Sequence, residues 1–359
     1  MSPQEVRGPA PDAPFISHPD GQPVEVLRDG QVLLARRGPQ APASRWTMQP
    51  NGDGGLTLQA QAPCAGTPDT GHLLAAVEAA LSLHPQARGL VLQAPAIAAE
   101  LLGSGAVLRQ GGITTVDREL FWQQARMWLP TVSTPFALRH VLTQGRRHPQ
   151  RPPKPQGVVY QRHIPWLGRT FSFRTLELEA DLPRFNRWMN DPVVVRFWQE
   201  AGSLEQHRAY LQGIADDPHM TSLIACIDGE PFAYFEVYWA KENRIAPFYD
   251  VGDHDRGWHV LVGEAAFRGK AYATAWLTSI THYLFLDDPR TQRVVGEPRA
   301  DHVQQIRNLD KSGYAKVKEF DFPHKRALLI SMLRERYFGE RLWLPREEPQ
   351  PDAVSPQQA

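Results

Sequence analysis

The chain has 359 residues, more than the roughly 250 that one hydrophobic core ordinarily organises, so two packed units are expected. Apolar residues make up 42% and charged residues 22%, and 39 basic residues balance 39 acidic ones, which leaves no net field for a polyanion and disfavours bulk nucleic-acid binding. Cys64 and Cys226 stand far apart with no CxxC or Cys/His cluster, against a disulfide scaffold or a structural zinc site. The N-terminus MSPQEVRGPAPDAPF lacks a signal-peptide core and no run of about 18 apolar residues occurs, so a cytoplasmic protein with no membrane partner is expected.

In chain order, HLLAAVEAALSLHP (72–85) has helical apolar spacing, RGLVLQAP (88–95) reads as a buried strand closed by Pro95, and IAAELLGSG (97–105) as a second helix. TTVDRELFW (114–122) alternates like a half-buried strand. This N-terminal α/β unit, 1–145, carries no Gly-rich loop and no convergent acid or base, and is expected to be structural. The Pro-rich stretch RRHPQRPPKPQGVVYQRHIP, 146–165, reads as a linker, because each proline fixes φ and removes a donor. The end of the chain, 345–359, has the low hydrophobicity of a disordered tail.

Between them, 166–344 reads as a second unit. RTFSFRTLEL is strand-like, LPRFNRWMNDP is a short helix ended at Asn190, Asp191 and Pro192, and SLEQHRAYLQGIADDP is a helix with Ser203 as N-cap and Gln206 as its capping-box partner. TSLIACIDGEPFAYFEVYWA is a hairpin turning at Asp228-Gly229. An apolar strand at RGWHVLVGE, a helix to Leu286, a strand at RVVGEP, a helix at DHVQQIRNLDKSG and two β-rich runs follow, giving the order β-α-α-β-β-β-α-β-α-β-β.

The turn F-R-G-K-A-Y-A, 267–273, joins the apolar strand to its helix. Small residues there permit close backbone approach, the first helical N–H groups lack internal partners, and Arg268 and Lys270 add positive charge, a combination suited to a pyrophosphate. On the strand, His259, Leu261 and Gly263 share one face. Asp301 opens a helix three residues before Gln304, as an N-cap with a capping-box partner. Glu236 and Tyr238 share one face of their strand, where an acidic group can receive an ammonium. Trp188, Phe197 and Trp198 are expected in the core, and Asp253, His254 and Asp255 in a solvated loop rather than around a metal.

The element order and the R-x-x-G/A-x-A turn after the fourth strand resemble the GCN5-related N-acetyltransferases (GNAT), an α/β (α+β) fold. The run from PPKPQGVVYQR through RFNRWMNDP, FAYFEVYWA, DRGWHVLVGE, THYLFLDDPRTQR, GEPRADH and KEFDFPHKRA is similar to the siderophore-biosynthesis acetyltransferases that act on N6-hydroxylysine or hydroxydiamines. That pattern prefers glycine at Ala271 and asparagine at His302. The resemblance implies acetyl-CoA or another short acyl-CoA as cosubstrate, a small-molecule hydroxylamine acceptor, no metal, and other siderophore-assembly enzymes as partners. It places coenzyme A on Val260, Leu261, Arg268, Gly269, Lys270, Ala271, Tyr272 and Ala273, and the catalytic pair on His259 and Asp301. Histidine as base, near its ordinary pKa of about 6.5, and aspartate as orienting or substrate-binding group is the favoured assignment, with the reverse open. Glu236 and Tyr238 are then substrate-binding. The rival readings are an aminoglycoside-type N-acetyltransferase and a non-catalytic GNAT-like partner-binding module, and the N-terminal unit reads as a degenerate half of the same fold.

Overall fold

The computed structural model describes residues 13–346 except 53, 62–68 and 133–134. Cys64 and residues 347–359 of the tail expected over 345–359 lie outside the described residues.

The first half opens with five antiparallel strands, β1 (Phe15–Ser17), β2 (Val24–Asp29), β3 (Val32–Arg36), β4 (Ala43–Pro50) and β5 (Leu56–Ala60). Helix α1 (Thr70–Leu83) then crosses to β6 (Gly89–Gln93), which pairs parallel to β5. α2 (Ala99–Gly103) leads to β7 (Leu108–Gln110) and β8 (Ile113–Asp117). The alternation read as one strand over 114–122 stops at Asp117, whose carboxylate accepts from the Leu120 N–H and starts the one-turn helix α3 (Arg118–Phe121).

The Pro-rich stretch is not a free linker. It holds β10 (Arg146–Pro149), paired with β9 (His140–Thr143), and β11 (Val158–Ile164), the first strand of the second sheet. Prolines fall at the end of β10 (Pro149), in the irregular 150–156 run and in the turn just after β11 (Pro165), while VVYQRHI supplies backbone donors and buries Tyr160, Arg162 and Ile164.

In the second half β12 (Arg169–Thr175) is followed by α4 (Leu178–Met189), α5 (Pro192–Trp198) and α6 (Leu204–Asp216). Asp191 and Pro192, read as a stop, also start a helix: Asp191 caps α5 and Pro192 sits at its first position, where no N–H is needed. Both bonds of the Ser203–Gln206 capping box are present at α6. β13 (Met220–Ile227) and β14 (Glu230–Trp239) form the hairpin, with Asp228 and Gly229 at φ 50 and 80°. β15 (Arg256–Val262), α7 (Lys270–Asp287), β16 (Arg293–Gly296), α8 (Val303–Lys311), β17 (Ala315–Phe322), β18 (Lys325–Leu333) and α9 (Arg334–Gly339) complete the chain.

The two eight-stranded sheets have one topology. Their orders are β1-β2-β3-β4-β5-β6-β8-β7 and β11-β12-β13-β14-β15-β16-β18-β17, each with its parallel step between the fifth and sixth strands, bridged by α1 or α7. The halves share one core: Trp122 stacks between Trp128 and Trp343 at 4.6 and 4.9 Å, and His282 of α7 bonds Tyr160 and the Trp122 carbonyl. Among the described residues no helix is long and apolar enough to cross a membrane.

Candidate active site

β15 pairs with β14 along its whole length but with β16 only at Arg256↔Val294 and Gly257↔Val295. The two parallel strands part beyond that point, and the opening leads into a cleft of about 1440 Å³. Its lining takes in the start of α7, His259, and Tyr210, Asp217, Met220, Arg244 and Lys325.

His259 stands opposite Glu236 in the β14–β15 ladder. Its Nδ1 meets Glu236 Oε2 at 2.8 Å and its Nε2 meets Glu297 Oε1 at 2.8 Å. The ring is thus held from both sides by buried carboxylates. Glu236 also accepts from the hydroxyls of Tyr210 and Tyr234, and Glu297 from Tyr238 Oη at 2.8 Å and Arg244 Nη2 at 3.3 Å. Lys325 Nζ donates to the Glu297 carbonyl at 2.8 Å. Tyr238 reaches Glu297 by lying over Gly257, where an added Cβ would come within 2.3 Å of the ring.

Burial opposes a charge on His259, but Glu297 foremost and then Glu236 outweigh it and raise its pKa to about 9. Burial likewise opposes the charge on Glu297, and His259, Lys325 and Arg244 hold its carboxyl well below the usual range. The expectation of a histidine near its ordinary pKa is therefore corrected: with both nitrogens bonded to carboxylates, the resting ring is an imidazolium.

Asp301 does not reach His259. Its carboxylate is exposed and forks onto Arg299 at 3.0 and 2.9 Å. Nor does it cap α8; His302 is the N-cap, its Nδ1 accepting from the Gln305 N–H at 3.3 Å, while its ring stacks on Phe197 at 3.7 Å. Gln304 turns to Asn308. The place expected of Asp301 is held by Glu297, at the end of RVVGEP, where strand alternation alone marks no functional residue.

Glu236 and Tyr238, expected as substrate-binding residues, face His259, Glu236 bonding it directly and Tyr238 through Glu297. Both are buried, with polar atoms committed to His259, Tyr210, Tyr234 and Glu297. Trp188 is core, whereas Phe197 and Trp198 line the cleft. Asp255, expected in a solvated loop, is buried and paired with Arg293 at 3.2 Å.

The backbone of β15 alternates in what it offers. The Gly263 N–H bonds the Phe232 carbonyl, so Leu261, His259 and Gly257 aim their backbone groups at β14 and Val260 and Val262 aim theirs at the opening. The outward carbonyls are visibly used: Val260 O accepts from Trp198 Nε1 at 3.1 Å and Val262 O from Arg268 Nε at 3.0 Å. The Val260 N–H therefore points into the cleft, and the Leu261 N–H does not.

At the turn, Gly269 is the N-cap of the 18-residue α7, in extended conformation and with no side-chain cap. Helical geometry leaves the N–H groups of Ala271 and Tyr272 without carbonyl partners, while the Ala273 N–H bonds Gly269 O at 2.8 Å and closes the first turn. An added Cβ on Gly269 would meet no protein atom within 4 Å, so the space before the helix is open, as a pyrophosphate on a helix dipole requires. Lys270 lines the same space. Arg268 is tied to Asp191 at 2.8 Å and to the Val262 and Gly263 carbonyls, which makes it a brace for the turn rather than a projecting cation.

Elsewhere, His148, His219 and Glu242 bring ligand-type atoms within 4.8 Å of one another. Arg151 takes both Glu242 oxygens, at 2.5 and 2.8 Å, and leaves the cluster as a buried ion pair.

Comparison with known proteins agrees with this geometry. The family model of the GNAT acetyltransferase domain matches residues 177–322. An Escherichia coli protein named N(6)-hydroxylysine O-acetyltransferase is 44% identical over 227 residues, covering 63% of this chain and 72% of that protein. An N(5)-hydroxyornithine:cis-anhydromevalonyl coenzyme A-N(5)-transacylase of Beauveria bassiana is 42% identical over 260 residues, 62% of this chain and 57% of that one. A hydroxyornithine transacylase of Ajellomyces capsulatus is 40% identical over 252 residues, again 62% and 57%, so the chain spans little more than half of these two relatives. The uncapped helix after the parting strands, the donor on the strand edge and these relatives together place the chain in the GNAT acetyltransferase family.

Proposed function

We propose that the protein transfers an acyl group, acetyl in the simplest case, from coenzyme A to the hydroxylated nitrogen of an N-hydroxylated lysine or diamine, forming a hydroxamate for iron chelation. The observation that carries this reading is the doubly clamped His259 beside the Val260 N–H. The start of α7 takes the pyrophosphate, and the Val260 N–H donates to the thioester oxygen as it becomes an oxyanion.

The clamp suits this nucleophile. A hydroxylamine is neutral near pH 7 and loses its proton readily once it attacks. The acceptor nitrogen bonds to the thioester carbon, the carbon–sulfur bond breaks, and one proton must pass from nitrogen to sulfur. Once the resting imidazolium has lost a proton to solvent, as it does when pH climbs through about 9, the ring keeps a single N–H, so one of the two carboxylates loses its donor and that ring nitrogen becomes the acceptor for the substrate's proton. The imidazolium so formed, with a pKa of about 9, is matched to a departing thiolate, whose conjugate acid lies near about 8.5 in the comparable cysteine. Glu236 and Glu297 orient the ring and stabilise its charge, as the carboxylate of a catalytic triad does. Asp301 is proposed as a rim residue that meets the acceptor after releasing Arg299.

The aminoglycoside reading requires several carboxylates open to a polycation, whereas Glu236, Glu297 and Glu242 are spent on His259 and Arg151 and only Glu200, exposed, and Asp217, half-exposed, remain of the lining acids. Coenzyme A release with N6-hydroxylysine, N-hydroxycadaverine, plain lysine and kanamycin tests the assignment. Hydroxamate product from either hydroxylamine supports it; turnover of kanamycin alone, or of lysine as well as hydroxylysine, overturns it.

The N-terminal half is proposed as a degenerate copy of the same fold. Its strand order is the same, but α1 is capped by the Asp69 carboxylate, which accepts from the His72 N–H at 2.8 Å and places negative charge where α7 is open. Coenzyme A is not expected there.

A further inference from the structure

Three tyrosine hydroxyls support the clamp on His259, and one of them differs in kind. Tyr234 and Tyr238 stand on β14 and are fully buried, Tyr234 donating to Glu236 Oε1 at 3.1 Å and Tyr238 to Glu297 Oε2 at 2.8 Å. Tyr210 comes from α6, where His207, Tyr210, Leu211 and Ile214 follow helical spacing onto one face. It too donates to Glu236 Oε1, but it is only part-buried and lines the cleft. Its ring lies nearly parallel to Phe185, with centroids 6.0 Å apart, a packing that does not involve the hydroxyl.

The two carboxylates of the clamp are balanced differently. Glu297 has Arg244 on Oε1 and Lys325 on its carbonyl besides the ring, whereas Glu236, among the described residues, bonds His259, Tyr210 and Tyr234 and no second cation. One ring N–H on Oε2 and two phenols on Oε1 therefore share its charge. A hydroxyl bonded to a carboxylate draws charge from it, and less remains to stabilise the imidazolium on the other oxygen. Burial first, then Glu236 and Glu200, push the Tyr210 hydroxyl well above the usual phenol range against the pull of Arg244, so it stays a donor while His259 titrates.

We propose that Tyr210 is a positioning residue for the transfer: by holding Glu236 Oε1 it fixes the clamp and weakens the hold of Glu236 on the charged His259 ring, which lets the ring become the base. The proposal rests on the reading of His259 as base in hydroxamate formation. Tyr210→Phe keeps the ring against Phe185 and removes the one bond. With N6-hydroxylysine and acetyl-CoA, the alkaline rise of kcat/KM should move up by about 0.5–1 pH unit, so turnover at about pH 7.5 falls roughly three- to tenfold and the deficit narrows as pH climbs. Imidazole ¹⁵N titration of His259 should show the same upward displacement of the midpoint, while coenzyme A affinity holds. A loss of equal size at every pH with the ¹⁵N midpoint unmoved, or a midpoint displaced downward, overturns this proposal alone. No hydroxamate from the intact enzyme, or an intact-enzyme profile that does not rise toward about 9, overturns the parent reading and this one with it.

Discussion

Glu236 and His259 face each other as cross-strand neighbours of β14 and β15, and the 2.8 Å between Oε2 and Nδ1 makes the imidazole part of the sheet rather than a side chain free to turn. With Glu297 on the other nitrogen, the ring holds one orientation and one charge state at neutral pH.

The pH profile should show this directly. If neutral His259 accepts the proton, kcat/KM rises with pH and levels near about 9, because the two carboxylates keep the ring protonated below that value. His259→Ala should lower kcat by roughly a hundredfold or more with little change in coenzyme A affinity. Glu297→Gln removes the larger source of the shift, so the rise should move to lower pH. A profile that falls above about 9 would show that the imidazolium is the reactive form.

Stability should follow the same groups. His259 has a folded pKa raised from 6.5 to about 9, so its contribution is complete below about 6.5 and is lost as pH climbs through about 9. Glu297 is depressed, so its contribution is present above its ordinary 4.5 and lost as pH falls. Thermal unfolding measured against pH should place the clamp's greatest contribution between these ordinary values. In His259→Gln the decline on the alkaline side should disappear.

Gly269→Val tests the turn cleanly. Its φ is extended at −156° and a new Cβ meets no protein atom, so the melting temperature should hold while coenzyme A binding weakens at least about tenfold by exclusion. Calorimetric titration reads the affinity. Ala271→Gly should be tolerated, and an unchanged affinity in Gly269→Val counts against the site.

The cap of α8 separates His302 from Asp301. His302→Ala should cost about 1 kcal/mol in chemical denaturation, the ordinary worth of a cap, whereas Asp301→Ala should cost almost nothing in stability. Any loss of turnover in Asp301→Asn then reports contact with the acceptor. A stability loss in Asp301→Ala equal to that in His302→Ala would contradict the cap assignment.

Much of this site is legible in the chain because its signals are local. Alternation assigns His259 to a strand face, Asp228-Gly229 closes a hairpin whose strand carries Glu236 and Tyr238, and a small-residue turn before an apolar run marks the start of α7. Short-range readings also fail for local reasons. Proline density concealed β11, whose seven residues contain no proline, and Asp301 resembled a cap because a capping pattern one residue out of register looks the same in one dimension.

The sequence by itself determined β6, β12, the β13–β14 hairpin, β15 and β16, the faces of their side chains and the turn that opens a helix, all set by φ preferences and period-two or 3.6-residue patterning, whereas β1–β5 and β11 went unread. Only the tertiary structure decided that Glu297, 38 residues beyond His259, takes its second nitrogen. That meeting depends on a parallel crossover through α7 and on where β15 and β16 part. Neither is written in the residues around Glu297, because the energy that sets strand order comes from burying α7 against both halves of the protein.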